Sequence, residues 1–505
     1  MKNRIKNYVL STLLGIIFLS TLACSSDKES TPDDPKPVTK TLTADINKID
    51  FQSKGNEANV TVTTNVTAWA ISSSDATWIQ LSQASGNVGT AIVKITALEN
   101  TTTATRTAVI TISSNQAASV QIAVSQAGIT PVATLYPSYN TNPLPADATG
   151  MTSNAVELAA KIKLGWNIGN TLEAIGGETA WGNPKVTKAL IDKVKASGFN
   201  AVRIPCSWNQ NLANATMAQI KTEWLDRVKE VVQYCVDNDM YVIVNIHWDG
   251  GWLENNCTEA SKVANNAKQK AFWEQIATHL RGFDEHLLFA GANEPNVENA
   301  TQMAVLTSYH QTFIDAVRAT GGKNAYRTLI VQGPSTDIEK TNKLMLTLPI
   351  DNVASRMMAE VHYYTPYQFC LMDKDANWGK MFYYWGANNH STTDAGRNAT
   401  LGEEADLDKF FKSMKTQFVD KGIPVILGEF GAIRRSDLTG DALTLHLASR
   451  AYFLKYVVKQ SKANGLLPFY WDAGGMGNNG SAIFNRTNNT VFDTQALDAM
   501  IEGLQ

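Results

Sequence analysis

Eight short apolar runs, each followed by a helical pattern, occupy residues 151–505, and this alternation narrows the fold more than any other feature of the chain. The runs are LGWNIGN (164–170), FNAVRIPCSW (199–208), YVIVNIHW (241–248), LLFAGANEP (287–295), TLIVQG (328–333), ASRMMAEVHYY (354–364), IPVILGEFG (423–431) and LLPFYWDAG (466–474). The stretches between them are amphipathic. One carries Ile220, Trp224, Leu225, Val228, Val231, Val232 and Cys235 at spacings of three and four, which gives a helix a single apolar face. Eight strand–helix units predict an α/β fold of the (β/α)8, or TIM-barrel, type. A doubly wound open sheet alternates in a similar way, but it rarely needs eight units, and no GxGxxG follows the first run.

The 505 residues exceed one ordinary domain, and the part before the barrel reads differently. VTVTTN (60–65), AIVKITAL (91–98), TAVITIS (107–113) and VQIAVSQAG (120–128) alternate at period two, so residues 41–128 are expected to form a small all-β sandwich of immunoglobulin type. Trp69 and Trp78 are read first as its core and second as a sugar platform. Residues 24–40 are polar and proline-bearing, a flexible tether. Residues 129–150 carry Pro131, Pro137, Pro143 and Pro145 and predict a semi-rigid spacer ahead of a barrel spanning 151–505.

The N-terminus reads as an export signal, residues 1–23. Lys2, Arg4 and Lys6 precede an apolar stretch from Val9 to Leu22, too short for a membrane span of about 20 residues. Cys24 closes Thr21-Leu22-Ala23-Cys24, which resembles a bacterial lipoprotein cleavage box. That resemblance implies cleavage before Cys24, lipidation of its thiol, and anchoring at the outer membrane and surface of a Gram-negative cell; Ser25 to Glu29 look like a surface-export tag. Plain secretion is the alternative. The remaining cysteines, Cys206, Cys235, Cys257 and Cys370, make no disulfide framework and no CxxC, and Cys206 and Cys235 read as buried thiols.

In a TIM barrel the chemistry gathers at the C-terminal strand ends. Read in order, those ends supply Asn167, Arg203, His247, Asn293 with Glu294, His362 with Tyr364, Glu429 and Trp471, and Trp252 follows the third run. Two glutamates on the fourth and seventh runs face each other across the barrel mouth. Cleavage of a glycosidic bond needs such a pair, one to protonate the leaving oxygen and one to attack an oxocarbenium-like centre. A proton donor at neutral pH requires a raised pKa, so Glu294 is expected to have one, and Glu429 is expected to stay ionised beside Arg203 and Tyr364.

These motifs together resemble glycoside hydrolase family 5 over residues 151–505. Asn293-Glu294-Pro295 matches its fourth-strand motif and Gly428-Glu429-Phe430-Gly431 its seventh; Arg203 in VRIP, His247, His362 with Tyr364, and Trp471 match the others. The resemblance implies Glu294 as acid/base, Glu429 as nucleophile and Asn293 as partner of the sugar's 2-hydroxyl. GWNIGNTLEA (165–174) and WGNP (181–184) look like subfamily 4, whose members cut cellulose, mixed-linkage glucan or xyloglucan. His247-Trp248 departs from the paired histidines of many relatives. Residues 41–128 resemble the BACON domain through Asn65, Trp69, Trp78-Ile79, Ser85-Gly86, Asn100, Arg106 and Gln126-Ala127-Gly128.

The expected function is therefore a retaining endo-β-1,4-glucanase specific for xyloglucan, a monomer that meets a β-glucan polysaccharide and, through its lipid, a membrane. A general endo-β-1,4-glucanase or a β-mannanase is the runner-up. A non-catalytic glycan-binding protein is disfavoured because both glutamates are present. A net charge of −3 offers no basic face for nucleic acid. Paired His and Asp ligands at the strand ends are lacking, so no metal and no cofactor are expected. The loop from Thr365 to about Ala405, with Trp378, Phe382, Tyr383, Tyr384 and Trp385, is long enough either to wall a cleft or to fold onto the barrel.

Overall fold

The computed structural model describes residues 38–129 and 134–505. The export signal, Cys24 and most of the tether lie outside the described residues. The chain divides into two compact units, Met1–Val132 and Ala133–Gln505.

The first unit is all-β. Its strands are β1 (Leu42–Ala44), β2 (Lys48–Phe51), β3 (Asn56–Ser73), β4 (Ile79–Leu81), β5 (Ser85–Ala97), β6 (Arg106–Ser113) and β7 (Val120–Gln126). They hydrogen-bond as one path, β2-β7-β6-β3-β5-β4, with β1 on β3. The path is continuous because β3 is 18 residues long and its pairing with β5 shifts register between Thr64 and Ala68. It meets β1 in its first half and β6 in its last residues. Period-two alternation sends Ile110, Ile112, Ile122 and Val124 into the core. Trp69 and Trp78 are each 3% exposed and fill that core, as the sequence reading favoured. Two further residues of the N-terminal resemblance, Gly86 and Gln126, have structural roles. Gly86 leaves room for the Trp69 ring, which a Cβ there would approach to 2.3 Å. Gln126 is fully buried, donates to the carbonyls of Gln52, Ser53 and Leu98, and accepts from Arg106.

The second unit is a closed parallel barrel of eight strands: β8 (Gly165–Ile168), β9 (Ala201–Ile204), β10 (Tyr241–Asn245), β11 (Leu287–Ala290), β12 (Leu329–Gln332), β13 (Met357–Tyr363), β14 (Val425–Phe430) and β15 (Leu466–Asp472). Each lies inside one of the eight runs, and β15 pairs with β8 to close the ring. Ala201, Ile243, Leu288, Ile330, Met358, Ile426 and Phe469 fill the interior together with Leu158 and Ile162 from the segment before β8. The larger apolar cluster lies between strands and helices. There the helix Thr222–Val236 buries Leu225, Val228, Val231, Val232 and Cys235, the face its spacing predicted.

The proline-bearing stretch departs from the expected spacer, because most of it lies on the barrel. Ser138 Oγ and the Tyr139 backbone N–H both donate to the buried Glu274 carboxylate, and Leu144–Ala146 pairs with Gly321–Gly322. The Asn140 N–H also donates to Glu274, while the N–H groups of Leu144 and Asp147 donate to the carbonyls of Thr320 and Gly322. All four remaining cysteines are buried free thiols.

Removing a buried indole leaves a cavity that a small β-fold cannot collapse around. Trp69→Ala is expected to destabilise the first unit by about 3–5 kcal/mol, measured as a lower denaturant midpoint of its unfolding step.

Candidate active site

Arg203, on β9, is fully buried, and four partners surround its guanidinium. Nη1 donates to Asn167 Oδ1 at 2.9 Å and to Glu429 Oε1 at 2.9 Å, and Nη2 donates to Asn293 Oδ1 at 2.7 Å. Nε faces Glu360 Oε1 at 3.1 Å. One cation thus links β8, β11, β13 and β14. The Asn167 amide is spent on the same frame, since its nitrogen donates to the carbonyls of Gly428, Phe469 and Tyr470.

Glu429 reaches the mouth through a bulge in β14. Val361 pairs with Leu427, but the next residue, His362, pairs with Glu429, so Gly428 is the extra residue. A Cβ on Gly428 would lie 2.0 Å from Glu360 Oε1, which explains the glycine. Glu429 is 6% exposed; Arg203 binds one carboxylate oxygen and the Tyr364 hydroxyl donates to the other at 3.0 Å. Burial raises its pKa, while the charges of His362 and Arg203 oppose that rise. Burial and the neighbouring Glu429 push Tyr364 well above the phenol range, so it is a proton donor.

Glu294 follows β11 and has a side chain that is 40% exposed, with Oε1 2.6 Å from His362 Nδ1. His362 bridges to a second acid, with Nε2 3.2 Å from Glu360 Oε1, and lies 3.8 Å from Glu429. Burial disfavours the cation, but Glu429, Glu294 and Glu360 together raise the ring to about 10. His362 is therefore an imidazolium at neutral pH. Burial pushes Glu294 up, yet the His362 hydrogen bond and charge more than offset it, and its pKa falls below the usual carboxylate value. This departs from the raised pKa expected for Glu294 and the reason is specific. The two opposite shifts favour the proton on the His362 side of their 2.6 Å hydrogen bond.

One oxygen of Glu294, one of Glu429 and a ring nitrogen of His362 lie within 4.8 Å of one another. A metal ion would need a lone pair from that ring. Both nitrogens face carboxylates and carry protons, so the ring offers none.

The remaining candidates divide. His247 and Trp471 stack at 5.6 Å with planes 7° apart, and burial with the charges of Arg203 and His362 keeps His247 neutral. Asn293 is clamped between Arg203 and Glu254. Trp252 instead packs on Phe272 and under Lys268 and donates to Asp249, so its contacts are with neither glutamate. In the long loop, Phe382, Tyr384 and Trp385 are buried, whereas Trp378 is 66% exposed beside Tyr367. Three site residues escaped the sequence reading: Glu360, Glu254 and Gln332, whose amide donates to Glu360 at 2.6 Å. Glu360 stands two before His362 on a strand, hence on the same face, and that parity was the available signal.

Comparison with known proteins agrees with this geometry. The cellulase model, glycosyl hydrolase family 5, matches residues 167–477, and the viral BACON domain model matches residues 41–129. A xyloglucan-specific endo-beta-1,4-glucanase of Bacteroides ovatus is 36% identical over 97% of this chain and 96% of its own. The solved structure of a Bacteroides ovatus family 5 xyloglucanase with a heptasaccharide superposes with a TM-score of 0.69 at 35% identity, covering 92% of this chain and 99% of that one. A xyloglucan-specific beta-1,4-glucanase from a ruminal metagenomic library gives 0.65 at 40% identity over 70% and 96%.

The bridged imidazolium can be measured directly. Its folded pKa near 10 exceeds the unfolded value of 6.5, so the stability it contributes is complete below pH 6.5 and is lost as pH rises through 10. Glu360→Gln removes one of the charges that hold the proton. The His362 ring is then expected to titrate about one unit or more lower by NMR, with the alkaline fall in stability moving down with it.

Proposed function

The chain belongs to glycosyl hydrolase family 5, and from that premise we propose that it is a retaining endo-β-1,4-glucanase acting on xyloglucan, with Glu294 as acid/base and Glu429 as nucleophile. One observation carries the assignment of roles. The two carboxylates approach within 4.8 Å, yet Glu429 is buried between Arg203 and Tyr364 while Glu294 opens to the mouth. An approach of that order is compatible with the roughly 5–5.5 Å carboxyl separation of retaining enzymes.

In the first step Glu429 attacks the anomeric carbon as its bond to the leaving oxygen breaks, and that oxygen takes a proton from the His362–Glu294 pair. A sugar over the open face of Glu294 removes its water, which raises the proton affinity of the carboxyl and draws the proton across the 2.6 Å bond. Glu429 loses its charge in the glycosyl-enzyme. In the second step Glu294, now ionised, takes a proton from water as that water attacks the same carbon, and Glu429 leaves. Asn293 donates to the 2-hydroxyl, a bond that strengthens as the transition state forms. Trp471 offers a stacking face held parallel to His247.

The substrate reading rests on the two xyloglucan-active relatives and on exposed rings beyond the catalytic centre. Trp181, Trp248 and Trp378 are 45%, 41% and 66% exposed on the loops after β8, β10 and β13. A branched polymer offers such rings more faces than one bare chain does. We further propose that Cys24 carries a lipid anchor at the outer membrane, that the protein is monomeric, and that residues 41–128 are a spacer. All three aromatic rings of residues 38–129 (Phe51, Trp69 and Trp78) are buried and unavailable for stacking on sugar.

Glu429→Ala should lose activity, and azide should restore turnover by attacking the vacated face and yielding the α-glycosyl azide; no rescue would argue against a nucleophilic role. Purified enzyme should show a kcat/KM on xyloglucan about tenfold or more above that on carboxymethylcellulose, barley β-glucan or galactomannan, because branch contacts contribute in the transition state. Equal or better rates on an undecorated glucan would leave a general endo-glucanase. Deleting residues 25–130 should leave turnover on soluble xyloglucan unchanged.

A further inference from the structure

Glu254 lies in the irregular loop after β10, and it touches the catalytic machinery from a side that neither glutamate explains. Its Oε2 accepts from the Glu294 backbone N–H at 3.1 Å and from Asn293 Nδ2 at 3.4 Å. Its own carbonyl accepts from the Asn296 N–H at 2.8 Å, so one residue brackets the Asn293–Asn296 segment at both ends. The loop is in turn fixed. Asn296 Nδ2 donates to Asn255 Oδ1 at 2.7 Å, Asn256 donates to the carbonyls of Gly251 and Trp252, and Leu253 and Cys257 are buried. Arg203 grips Asn293 on its oxygen and Glu254 grips it on its nitrogen, which sets the amide plane.

We propose that Glu254 is a positioning residue for the reaction: its carboxylate holds the Asn293–Glu294 peptide in register and keeps a negative charge beside the acid/base. The groups that face it are Glu294 from the loop after β11, Glu429 from β14 and Cys257 from its own loop. Among the described residues no cation forms an ion pair with it. Burial pushes Glu254 up to about 7, with Glu294 and Glu429 adding to the rise and the two hydrogen bonds opposing it. Its charge therefore appears through the neutral range, in which the His362–Glu294 pair must keep its shared proton. A neighbouring negative charge raises proton affinity, so ionised Glu254 extends the protonated range of the His362–Glu294 pair toward alkaline pH. This counters the cation of His362 on the other side of the same carboxyl.

The inference rests on the assignment of Glu294 as acid/base, and the experiment separates the two. Full-length wild type and variants are assayed on xyloglucan, whose leaving group needs a proton, and on a 2,4-dinitrophenyl cello-oligoside, whose leaving group does not. If wild type fails on both, the functional reading falls; the comparison among variants tests Glu254 alone. Glu254→Gln keeps an oxygen for both hydrogen bonds and removes the charge. It should move the alkaline limb of kcat/KM on xyloglucan down by about half to one pH unit, with the aryl substrate little changed. Glu254→Ala, which also removes the clamp, should lower kcat on both substrates by about tenfold or more. Glu254→Asp keeps the charge with a shorter reach, so its limb should stay while kcat falls, and this variant decides the matter if Gln does not fold. An unmoved limb in Glu254→Gln with equal losses on both substrates, or a moved limb in Glu254→Asp, overturns the proposal.

Discussion

A guanidinium taken wholly out of water is costly unless acceptors and opposite charge surround it, and around Arg203 these come from four strands or their ends. Its partners are therefore fixed relative to one another. Asn167 ties β8 to the carbonyls of β14 and β15, Asn293 is fixed by its oxygen, Glu360 is held beside His362, and Glu429 is held by one carboxylate oxygen. The cost of burying one cation becomes the rigidity of the frame that holds Asn167, Asn293, Glu360 and Glu429.

The second consequence is electrostatic. Arg203 and His362 bring two positive charges into a pocket that also holds Glu294, Glu360 and Glu429, and neither cation is stable there without the acids. His362 keeps its proton because three carboxylates surround it, and Glu294 is held low because His362 keeps it. Glu294 and His362 thus form one proton-sharing pair. In the proposed mechanism, substrate covering Glu294 turns the pair into a carboxylic acid, so proton donation follows binding.

Much of this was legible in the sequence because it sits where periodic order ends. Glu294, Glu429, Arg203 and His362 each stand in or just after an apolar run, and the eight runs became the eight strands. What escaped notice depends on distant pairing. Glu360 hides inside the apolar run RMMAEVHYY, where only its parity with His362 hints at a shared face. Glu254 belongs to a loop without period and meets Glu294 across 40 residues of chain. The stretch from 134 to 150 reads as a spacer from its prolines, because its partner Glu274 lies about 135 residues away. Strands β1, β2 and β4, of three or four residues, are too short to show alternation. The raised pKa expected for Glu294 failed on one contact, the 2.6 Å bond to His362, which no spacing reveals.

Glu429, held by Arg203 and Tyr364, is the group proposed to attack the anomeric carbon. A 2-deoxy-2-fluoro β-cello-oligosaccharyl fluoride forms the glycosyl-enzyme readily and hydrolyses it slowly, so the labelled peptide can be isolated and sequenced by mass spectrometry. The account predicts one glycosyl group per chain, on the peptide of β14 and at Glu429. A label on Glu294, or inactivation that never leaves a covalent sugar on the chain, would contradict it.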